Sequence, residues 1–189
     1  MTGLPGDNAR AVVVEYDPEW PARFEAIRDR IAPALGDLAL SIEHVGSTSV
    51  PGLAAKPVID IDVVVADASA IPPAVDALTA LGYEHLGQVG IPDREAFRRP
   101  PGTFQHNLYV CPAGGQGLRN HLALRHHLRT HREAVEAYAA LKRRLADEAP
   151  DIDAYVIGKT DLIVTFLRAE GIDEDTLASI ERANKSPDL

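Results

Sequence analysis

The fold of this chain is decided by residues 42–62, IEHVGSTSVPGLAAKPVIDID. A small polar turn at Gly46-Ser47 is followed, after a spacer of twelve residues, by Asp60 and Asp62 in an otherwise apolar run. Side chains alternate between the two faces of a β-strand. The pattern therefore predicts both carboxylates on one face of a strand, with the apolar residues beside them directed into a core on the other face.

The two aspartates, within a strand predicted at Val58–Ala66, have two interpretations. Adjacent carboxylates on a rigid strand repel each other unless a cation or solvent compensates them, and hard divalent cations prefer oxygen ligands. The first interpretation is a Mg²⁺ site, with Mn²⁺ as an alternative ion, held by Asp60 and Asp62. The second is an exposed sheet face on which aspartate only maintains solubility. The poor strand propensity of aspartate favours the metal site.

The turn before this strand has the features of an anion site. Glycine at position 46 lets the backbone approach a ligand closely, and backbone amides at such a turn can bind phosphate. Ser47, Thr48 and Ser49 add hydroxyl donors. A Gly-Ser turn alone is common, but its combination with the aspartate pair predicts a phosphate-binding loop beside a metal site.

The turn and the aspartate pair together resemble the signature of the nucleotidyltransferase superfamily, which has the DNA polymerase β-like fold. The whole string over residues 42–62 resembles the GrpB family closely. So do three further stretches, at Tyr16–Pro21, His106–Val110 and Leu124–Arg129. The resemblance implies a nucleotidyltransferase-like fold for this chain.

The same resemblance implies a function. The chain is expected to bind a nucleoside triphosphate and to transfer its nucleotidyl group to an acceptor that the sequence does not identify. Gly46 and Ser47 would hold the phosphates, and Asp60 and Asp62 would hold catalytic Mg²⁺. The alternative hypothesis is a non-catalytic nucleotide-binding or phosphate-binding module, or a protein-interaction accessory domain, that retains the fold.

The strand predicted at Phe104–Cys111 bears on this choice, because active members of the superfamily usually add a third carboxylate from a neighbouring strand. This strand contains no acid. His106 or Asn107 could stand in as a neutral ligand, and His106 is a candidate catalytic residue. Its alternative is a hydrogen-bonded histidine within the sheet. The missing acid supports the non-catalytic hypothesis.

The helix predicted at Leu118–Arg129 has basic residues on its apolar side. His121, Arg125 and Arg129 fall on the same arc as its leucines. Arginines on a half-buried face need anionic partners. Such a partner is either an acid of this chain or the phosphate of a ligand, and both interpretations are open.

Two lysines are further candidates for phosphate contacts. Lys56 lies four residues before Asp60. Lys159 follows Tyr155 by four residues in a predicted helix, so the two share a helix face. The alternative is that either lysine lies on the surface, as most lysines do.

His127 and His131 are four residues apart, a spacing that can bind zinc on a helix. However, Thr130-x-x-Glu133 matches a capping box and predicts a new helix that begins near residue 131. A helix break between the two histidines argues against a zinc site there.

The composition excludes several classes of protein. The chain has 189 residues, with 19 basic and 28 acidic side chains and a net charge of −9. Bulk nucleic-acid binders are basic, so that class is disfavoured. Cys111 is the only cysteine and cannot form an internal disulfide.

Neither a signal peptide nor an apolar run of roughly 18 residues is visible, so we expect a cytoplasmic protein with no membrane partner. The sequence does not indicate an oligomeric state.

The predicted fold class is α+β (mixed α/β), a nucleotidyltransferase-like mixed sheet flanked by helices and followed by a helical part. We expect a loose N-terminus (1–10), an α/β core (11–115), helices packed on that core (116–183) and a loose tail (184–189). The predicted strands are Ala11–Glu15, Leu38–Val45, Val58–Ala66, Ala96–Arg99 and Phe104–Cys111. The predicted helices are Pro18–Leu35, Ala70–Leu81, Leu118–Arg129, Arg132–Glu148, Ile152–Glu170 and Glu174–Ala183. Apolar residues recur every three or four positions from Trp20 to Leu35, which predicts one apolar stripe along the first helix.

Overall fold

The computed structural model describes residues 10–185 and has the mixed α/β architecture expected from the sequence. The described chain contains a five-stranded sheet and six α-helices. The strands are β1 (Ala39–Val45), β2 (Ile59–Val65), β3 (Glu84–Gly87), β4 (Glu95–Arg98) and β5 (His106–Pro112). The helices are α1 (Trp20–Leu35), α2 (Ile71–Ala80), α3 (Gln116–Thr130), α4 (Arg132–Glu148), α5 (Ile152–Ala169) and α6 (Glu174–Lys185).

The sheet is mixed and has the strand order β1-β2-β5-β4-β3. β1 and β2 are antiparallel, β2 and β5 are parallel, and β4 lies antiparallel between β5 and β3. Every residue of β2 is buried. A strand that is covered on both faces explains the nearly continuous apolar run in which Asp60 and Asp62 stand.

Helices α1 and α2 cover one face of the sheet. Apolar side chains recur every three or four residues along α1, from Trp20 to Leu35, and they are buried. They pack against Ile59, Ile61 and the alternate valines of β2 in the main core. The predicted stripe of the first helix and the predicted core face of β2 are therefore both confirmed.

The helices that follow β5 build a second core with the loop after β1. Val50, Leu53 and Ala54 of that loop pack with buried residues of α3, α4, α5 and α6. The turn at Gly46 and Ser47, just before this loop, is thereby fixed from the C-terminal part of the chain. No helix within residues 10–185 is long and apolar enough to cross a membrane.

Two strand assignments differ from the sequence prediction. The predicted strand Ala11–Glu15 is wrong, because Val14 forms only an isolated antiparallel bridge with Ala55. Val12 is 65% exposed, so the β-branched run has strand propensity but no neighbouring strand to complete it. The short edge strand β3 was not predicted. Glu84 and His85 are exposed there, and so short an exposed strand does not show the alternation of apolar and polar residues by which a strand is predicted.

The ends of the elements also differ in places. α1 begins at Trp20, two residues later than predicted. α6 reaches Lys185 and so enters the predicted loose tail, 184–189. The rest of that tail lies outside the described residues, as does the predicted loose N-terminus, 1–10, apart from Arg10.

The capping box predicted from Thr130 and Glu133 is wrong. The Thr130 hydroxyl donates to the backbone carbonyl of His126 at 2.8 Å, so Thr130 belongs to the last turn of α3. His131 precedes α4 and makes no side-chain cap. Its backbone amide donates to the carbonyl of His127 at 3.0 Å. The two helices separate where predicted, yet the two histidines stay one helical turn apart.

Candidate functional site

The turn at Gly46 and Ser47 lies directly against the first aspartate of β2. Gly46 has a φ of 68°. A Cβ atom at this position would be 2.1 Å from Oδ2 of Asp60. Only glycine lets the backbone come this close to the carboxylate in this conformation. The turn and the aspartate pair therefore face each other, in the arrangement that the sequence predicts.

The two aspartates are buried and differently bonded. Asp60 is 8% exposed and Asp62 is fully buried. Asn107 donates from Nδ2 to Oδ1 of Asp60 at 2.8 Å, and His121 donates from Nδ1 to Oδ2 of Asp62 at 2.7 Å. Burial raises the pKa of Asp60, while the Asn107 hydrogen bond opposes the rise. Within the described part of the chain, Oδ1 of Asp62 has no hydrogen-bond partner.

These residues fit one hard divalent cation. Two carboxylates on one face supply oxygen ligands. The unpartnered oxygen of Asp62 is a buried polar group that lacks the compensation a cation would give. β5 adds no carboxylate, because its register places Asn107 beside Asp60 and Tyr109 beside Asp62. The available donor set is two carboxylates and one amide.

Two tyrosine–lysine pairs, one on α4 and one on α5, contain lysines that interact electrostatically with Asp60. Tyr138 and Lys142 are one turn apart on α4, and Tyr155 and Lys159 are one turn apart on α5. Each lysine nitrogen lies 4.5 Å from the centre of its tyrosine ring. All four side chains are buried. Asp60 acts electrostatically on both lysines, so the two helices bring basic groups to the aspartate face.

Burial makes these two lysines weak bases. It lowers the pKa of Lys159 to about 7, with the charge of Lys56 adding to the effect and Asp60 opposing it. It lowers the pKa of Lys142 to about 6, and the charges of Lys159 and Arg143 lower this pKa further. The Nζ of Lys142 has no hydrogen-bond partner within residues 10–185. Near neutral pH, both groups can gain a proton when an anion arrives.

Three lysines lie in this part of the structure, namely the two predicted ones, Lys56 and Lys159, and Lys142. Lys159 is buried there, and the nitrogen of half-buried Lys56 lies 5.9 Å from the centre of the Tyr155 ring. Lys142 was not predicted. The signal that could have found it is its spacing from Tyr138, which repeats the spacing between Tyr155 and Lys159. A lysine within the buried stripe of a helix is uncommon unless it has a partner.

His106 does not belong to this site, and its predicted catalytic or metal-binding role is wrong. Its Nδ1 donates to the carbonyl of Phe104 at 2.7 Å, and its Nε2 accepts from the hydroxyl of Tyr83 at 2.8 Å. Both ring nitrogens are therefore engaged. The ring also lines a cavity with Arg23 and Arg30 of α1, on the opposite face of the sheet from the aspartates.

Two of the three predicted hydroxyl donors are turned inward. Thr48 accepts a hydrogen bond from Nε2 of His44 at 3.0 Å, and Ser49 donates to the carbonyl of Gly46 at 2.7 Å. Both side chains are buried. They shape the turn, and the prediction that they contact phosphate is wrong. Ser47 is half-buried and is the most accessible of the three residues.

The two arginines of α3 bind groups of this chain. Arg125 donates to Oε2 of Glu43 at 3.0 Å and to the carbonyl of His44 at 2.7 Å. Arg129 donates to the carbonyl of Ser49 through Nη2 at 2.6 Å and Nε at 3.0 Å. Of the two open interpretations, the internal partner is therefore the one observed, and a contact of either arginine with the phosphate of a ligand stays a prediction. Both arginines hold β1 and the turn in position.

Comparison with known sequences identifies relatives over most of the chain. The family model described as GrpB protein matches residues 10–169. The UPF0157 protein BH1888 of Halalkalibacterium halodurans is 36% identical over 167 residues, 87% of this chain and 85% of that protein. The UPF0157 protein YqkA of Bacillus subtilis is 32% identical over 81% of this chain, which spans only 45% of YqkA. A dephospho-CoA kinase of Mycolicibacterium paratuberculosis is 36% identical over 80% of this chain and 44% of that protein.

Solved structures support the same fold. The conserved protein GrpB from Enterococcus faecalis has a TM-score of 0.76 at 34% identity, over 84% of this chain and 96% of that one. The Cid1 poly(U) polymerase with MgGTP bound has a TM-score of 0.51 at 15% identity, over 70% of this chain and 44% of that one. At that identity the likeness to Cid1 concerns the fold alone, which is nucleotidyltransferase-like.

Replacing Gly46 by alanine is expected to destabilise the fold more than replacing Gly52. Both glycines have a positive φ, which costs a non-glycine residue about 1–3 kcal/mol. A Cβ at Gly46 meets the Asp60 carboxylate, whereas a Cβ at Gly52 meets nothing within 4 Å. Overpacking adds about 1–3 kcal/mol. Urea unfolding of G46A and G52A measures the difference, and equal losses would contradict the close approach.

The buried lysines are expected to make stability rise with pH. Unfolded lysine binds a proton up to its ordinary pKa, but folded Lys142 has a pKa of about 6. Between about pH 7 and pH 9 the unfolded state thus binds more protons, and each such lysine adds about 1.4 kcal/mol per pH unit to the free energy of unfolding. K142M should lose this contribution relative to the wild type.

The matched control for this variant is R144M, which changes an exposed basic residue of the same helix. Its free energy of unfolding should run parallel to that of the wild type across the same pH range, because arginine does not titrate there. A K142M curve that is also parallel to the wild type would show that Lys142 is charged in the folded protein.

Proposed function

The chain belongs to the GrpB family, and we propose that it is a metal-dependent nucleotidyltransferase that binds a nucleoside triphosphate and transfers its nucleotidyl group to an acceptor. The observation that carries this proposal is the close approach of the Gly46-Ser47 turn to the Asp60 carboxylate. This contact joins a candidate phosphate loop to a candidate metal ligand. The proposed substrate is a cytoplasmic metabolite, which agrees with the location expected from the sequence.

The phosphate side of the site rests on the turn and the lysines. Ser47 offers a half-buried hydroxyl at the turn. Lys142 and Lys159 are buried beside Asp60 and are weak bases in the absence of a ligand. A polyphosphate stabilises their charged forms, so both become cationic as it binds. Part of the charge that would hold the triphosphate therefore develops as the triphosphate binds.

The metal side of the site rests on Asp60 and Asp62. Their oxygens would hold Mg²⁺ or Mn²⁺, and His121 keeps the Asp62 carboxylate oriented through its Oδ2. A bound cation would neutralise charge on the transferring phosphoryl group. Asn107 orients Asp60 through Oδ1. These two bonds leave one oxygen of each aspartate to face the ligand.

The proposed reaction is a displacement at the α-phosphorus. The acceptor oxygen forms a bond to this phosphorus, the bond to the bridging oxygen breaks, and pyrophosphate leaves while the acceptor proton is released to solvent. This chain's lysines would stabilise the leaving pyrophosphate. The acceptor is unidentified, and the family relative named dephospho-CoA kinase is a reason to include dephospho-CoA among the acceptors tested.

A second candidate function is binding of a nucleotide or phosphate ligand without turnover. The observation that favours it is Asn107, which lies in register beside Asp60 where active superfamily members usually carry an acid. An amide cannot accept the proton of an acceptor hydroxyl and leaves one negative charge fewer at the site. The two candidates agree on ligand binding and differ only in chemistry.

D60N combined with D62N is expected to weaken Mg²⁺-dependent binding of nucleoside triphosphate at least tenfold, about 1.4 kcal/mol, because both charged ligands of the cation are lost. Isothermal titration calorimetry with each of the four ribonucleoside triphosphates measures the affinity. The control is D29N with D76N, which removes equal charge from exposed positions of α1 and α2. Equal affinity in all three proteins would overturn the proposal.

Turnover separates the two candidate functions. Nucleoside triphosphates labelled at the α-phosphorus are incubated with the wild-type chain, Mg²⁺ or Mn²⁺, and a set of hydroxyl acceptors. Transfer of label that is lost in the double variant supports the transferase. Binding with no transfer across the acceptor set supports the non-catalytic module.

Triphosphate binding is expected to take up protons near pH 7.5, by up to about two per site. The reason is that the pKa values of Lys142 and Lys159, about 6 and about 7 without ligand, rise when an anion lies beside them. Calorimetry in buffers of different ionisation enthalpy, at saturating Mg²⁺, counts these protons. K142M should take up fewer. Binding without proton uptake would mean that these lysines do not contact the triphosphate.

A further inference from the structure

A second cluster of ligating side chains lies away from the aspartates, where α3 meets α4 and α5 ends. His127 stands in the last turn of α3, His131 immediately follows that helix, and Glu170 immediately follows α5. One nitrogen from each histidine and one carboxylate oxygen lie within 4.8 Å of one another. The helix break predicted between the two histidines argues against a metal ion here. The structure removes that objection, because the two histidines stay one turn apart.

The hydrogen bonds of the cluster assign its lone pairs. Nδ1 of His131 lies 3.0 Å from the carbonyl of His127, which can only accept, so this nitrogen carries the proton. In neutral imidazole the other nitrogen, Nε2, then has the lone pair. Nδ1 of His127 lies 2.9 Å from Oε1 of Glu170. Ligand atoms around a tetrahedral ion with bonds of about 2.0–2.1 Å are about 3.3 Å apart. The His127–Glu170 pair must therefore open slightly, and any pair of ligand atoms near the 4.8 Å limit must close, for an ion to replace the shared proton.

The ligands are held in place before any ion binds. The ring of His127 is stacked between His131, at 4.3 Å, and Phe166, at 4.7 Å, measured between ring centres. His127 is buried, and the side chain of Glu170 is 19% exposed. The site also lies at the C-terminal ends of two helices, whose dipoles attract cations. Pre-ordering reduces the entropy lost on binding.

The donor set indicates the class of ion. Two imidazoles and one carboxylate suit Zn²⁺ and similar transition metals, whereas Mg²⁺ and Ca²⁺ prefer oxygen ligands alone. Exposed His126 stands beside this cluster, with its Nε2 4.0 Å from Oε2 of Glu170. This chemistry differs from that of Asp60 and Asp62.

We propose that His127, His131 and Glu170 form a zinc-type site that ties the junction of α3 and α4 to the end of α5. The ion joins the last turn of α3 to the segment after α5, and thereby fixes the end of α3 that carries Arg129. Because Arg129 holds the backbone of Ser49, the ion also steadies the loop after β1. The proposal is independent of the proposed nucleotidyl transfer.

The test is a zinc titration of the full chain without an affinity tag, in competition with a chromophoric chelator. We expect one zinc per chain in the wild type. H131A and E170Q should each bind zinc at least tenfold more weakly, and E170Q retains an oxygen that can accept from His127. These two variants avoid His127, whose buried ring packs against Phe166 and whose loss would disturb folding.

The matched control is H85A, which removes the histidine of another histidine–carboxylate pair, 2.7 Å from Glu95. It should bind zinc like the wild type, as should D60N with D62N. Zinc should raise the unfolding temperature of the wild type and of H85A but not that of H131A. Failure of the wild type to bind zinc stoichiometrically, or equal affinity in folded H131A, would overturn the proposal.

Discussion

Burying two carboxylates at the centre of the sheet is the constraint on which the rest of this structure depends. Removing Asp60 and Asp62 from water is costly unless other groups replace the lost solvation. Helix α3 replaces part of it through His121, and it carries two arginines at the same spacing of four residues, which places all three on one side of the helix. His121 bonds Asp62, Arg125 bonds β1, and Arg129 bonds the backbone of the following loop. One helix thus closes the face over the aspartates and fixes the turn beside them.

Lysine and arginine have different tasks in this molecule. The chain has four lysines, and three of them, Lys56, Lys142 and Lys159, act electrostatically on Asp60. Lysine loses its charge when buried, so it can be packed inside without a permanent partner. Arginine stays charged at any pH at which the protein is folded. The arginines of α3 accordingly bind backbone carbonyls and Glu43. The basic residues that titrate near Asp60 are therefore lysines, whereas those that hold β1 and the following loop in position are arginines.

The fold was largely predictable because its signals are local. The period of two in β2 and the stripe of α1 each follow from neighbouring residues, and the structure confirms both. The wrong predictions include side chains whose hydrogen-bond partners are distant in the sequence. His106 shares a strand with Asn107, but Tyr83 and the Phe104 carbonyl occupy both of its nitrogens. The basic stripe of α3 was visible, yet only the folded chain shows whether its partner is an acid, a carbonyl or a ligand. Lys142 was missed because its burial depends on packing between helices.

The amide at Asn107 limits how much charge the proposed site can hold. With two carboxylates, one divalent cation balances the fixed negative charge, whereas two cations would leave an excess of positive charge before any phosphate arrives. In two-metal enzymes the second ion stabilises the leaving group. Here Lys142 and Lys159 interact electrostatically with the same carboxylate, have pKa values of about 6 and about 7, and can become fully cationic beside a polyphosphate. Under the proposed function, two protonatable lysines and one metal ion would therefore supply the positive charge that two metal ions supply in two-metal enzymes. The net charge of the site would then increase when the triphosphate binds and decrease when it leaves.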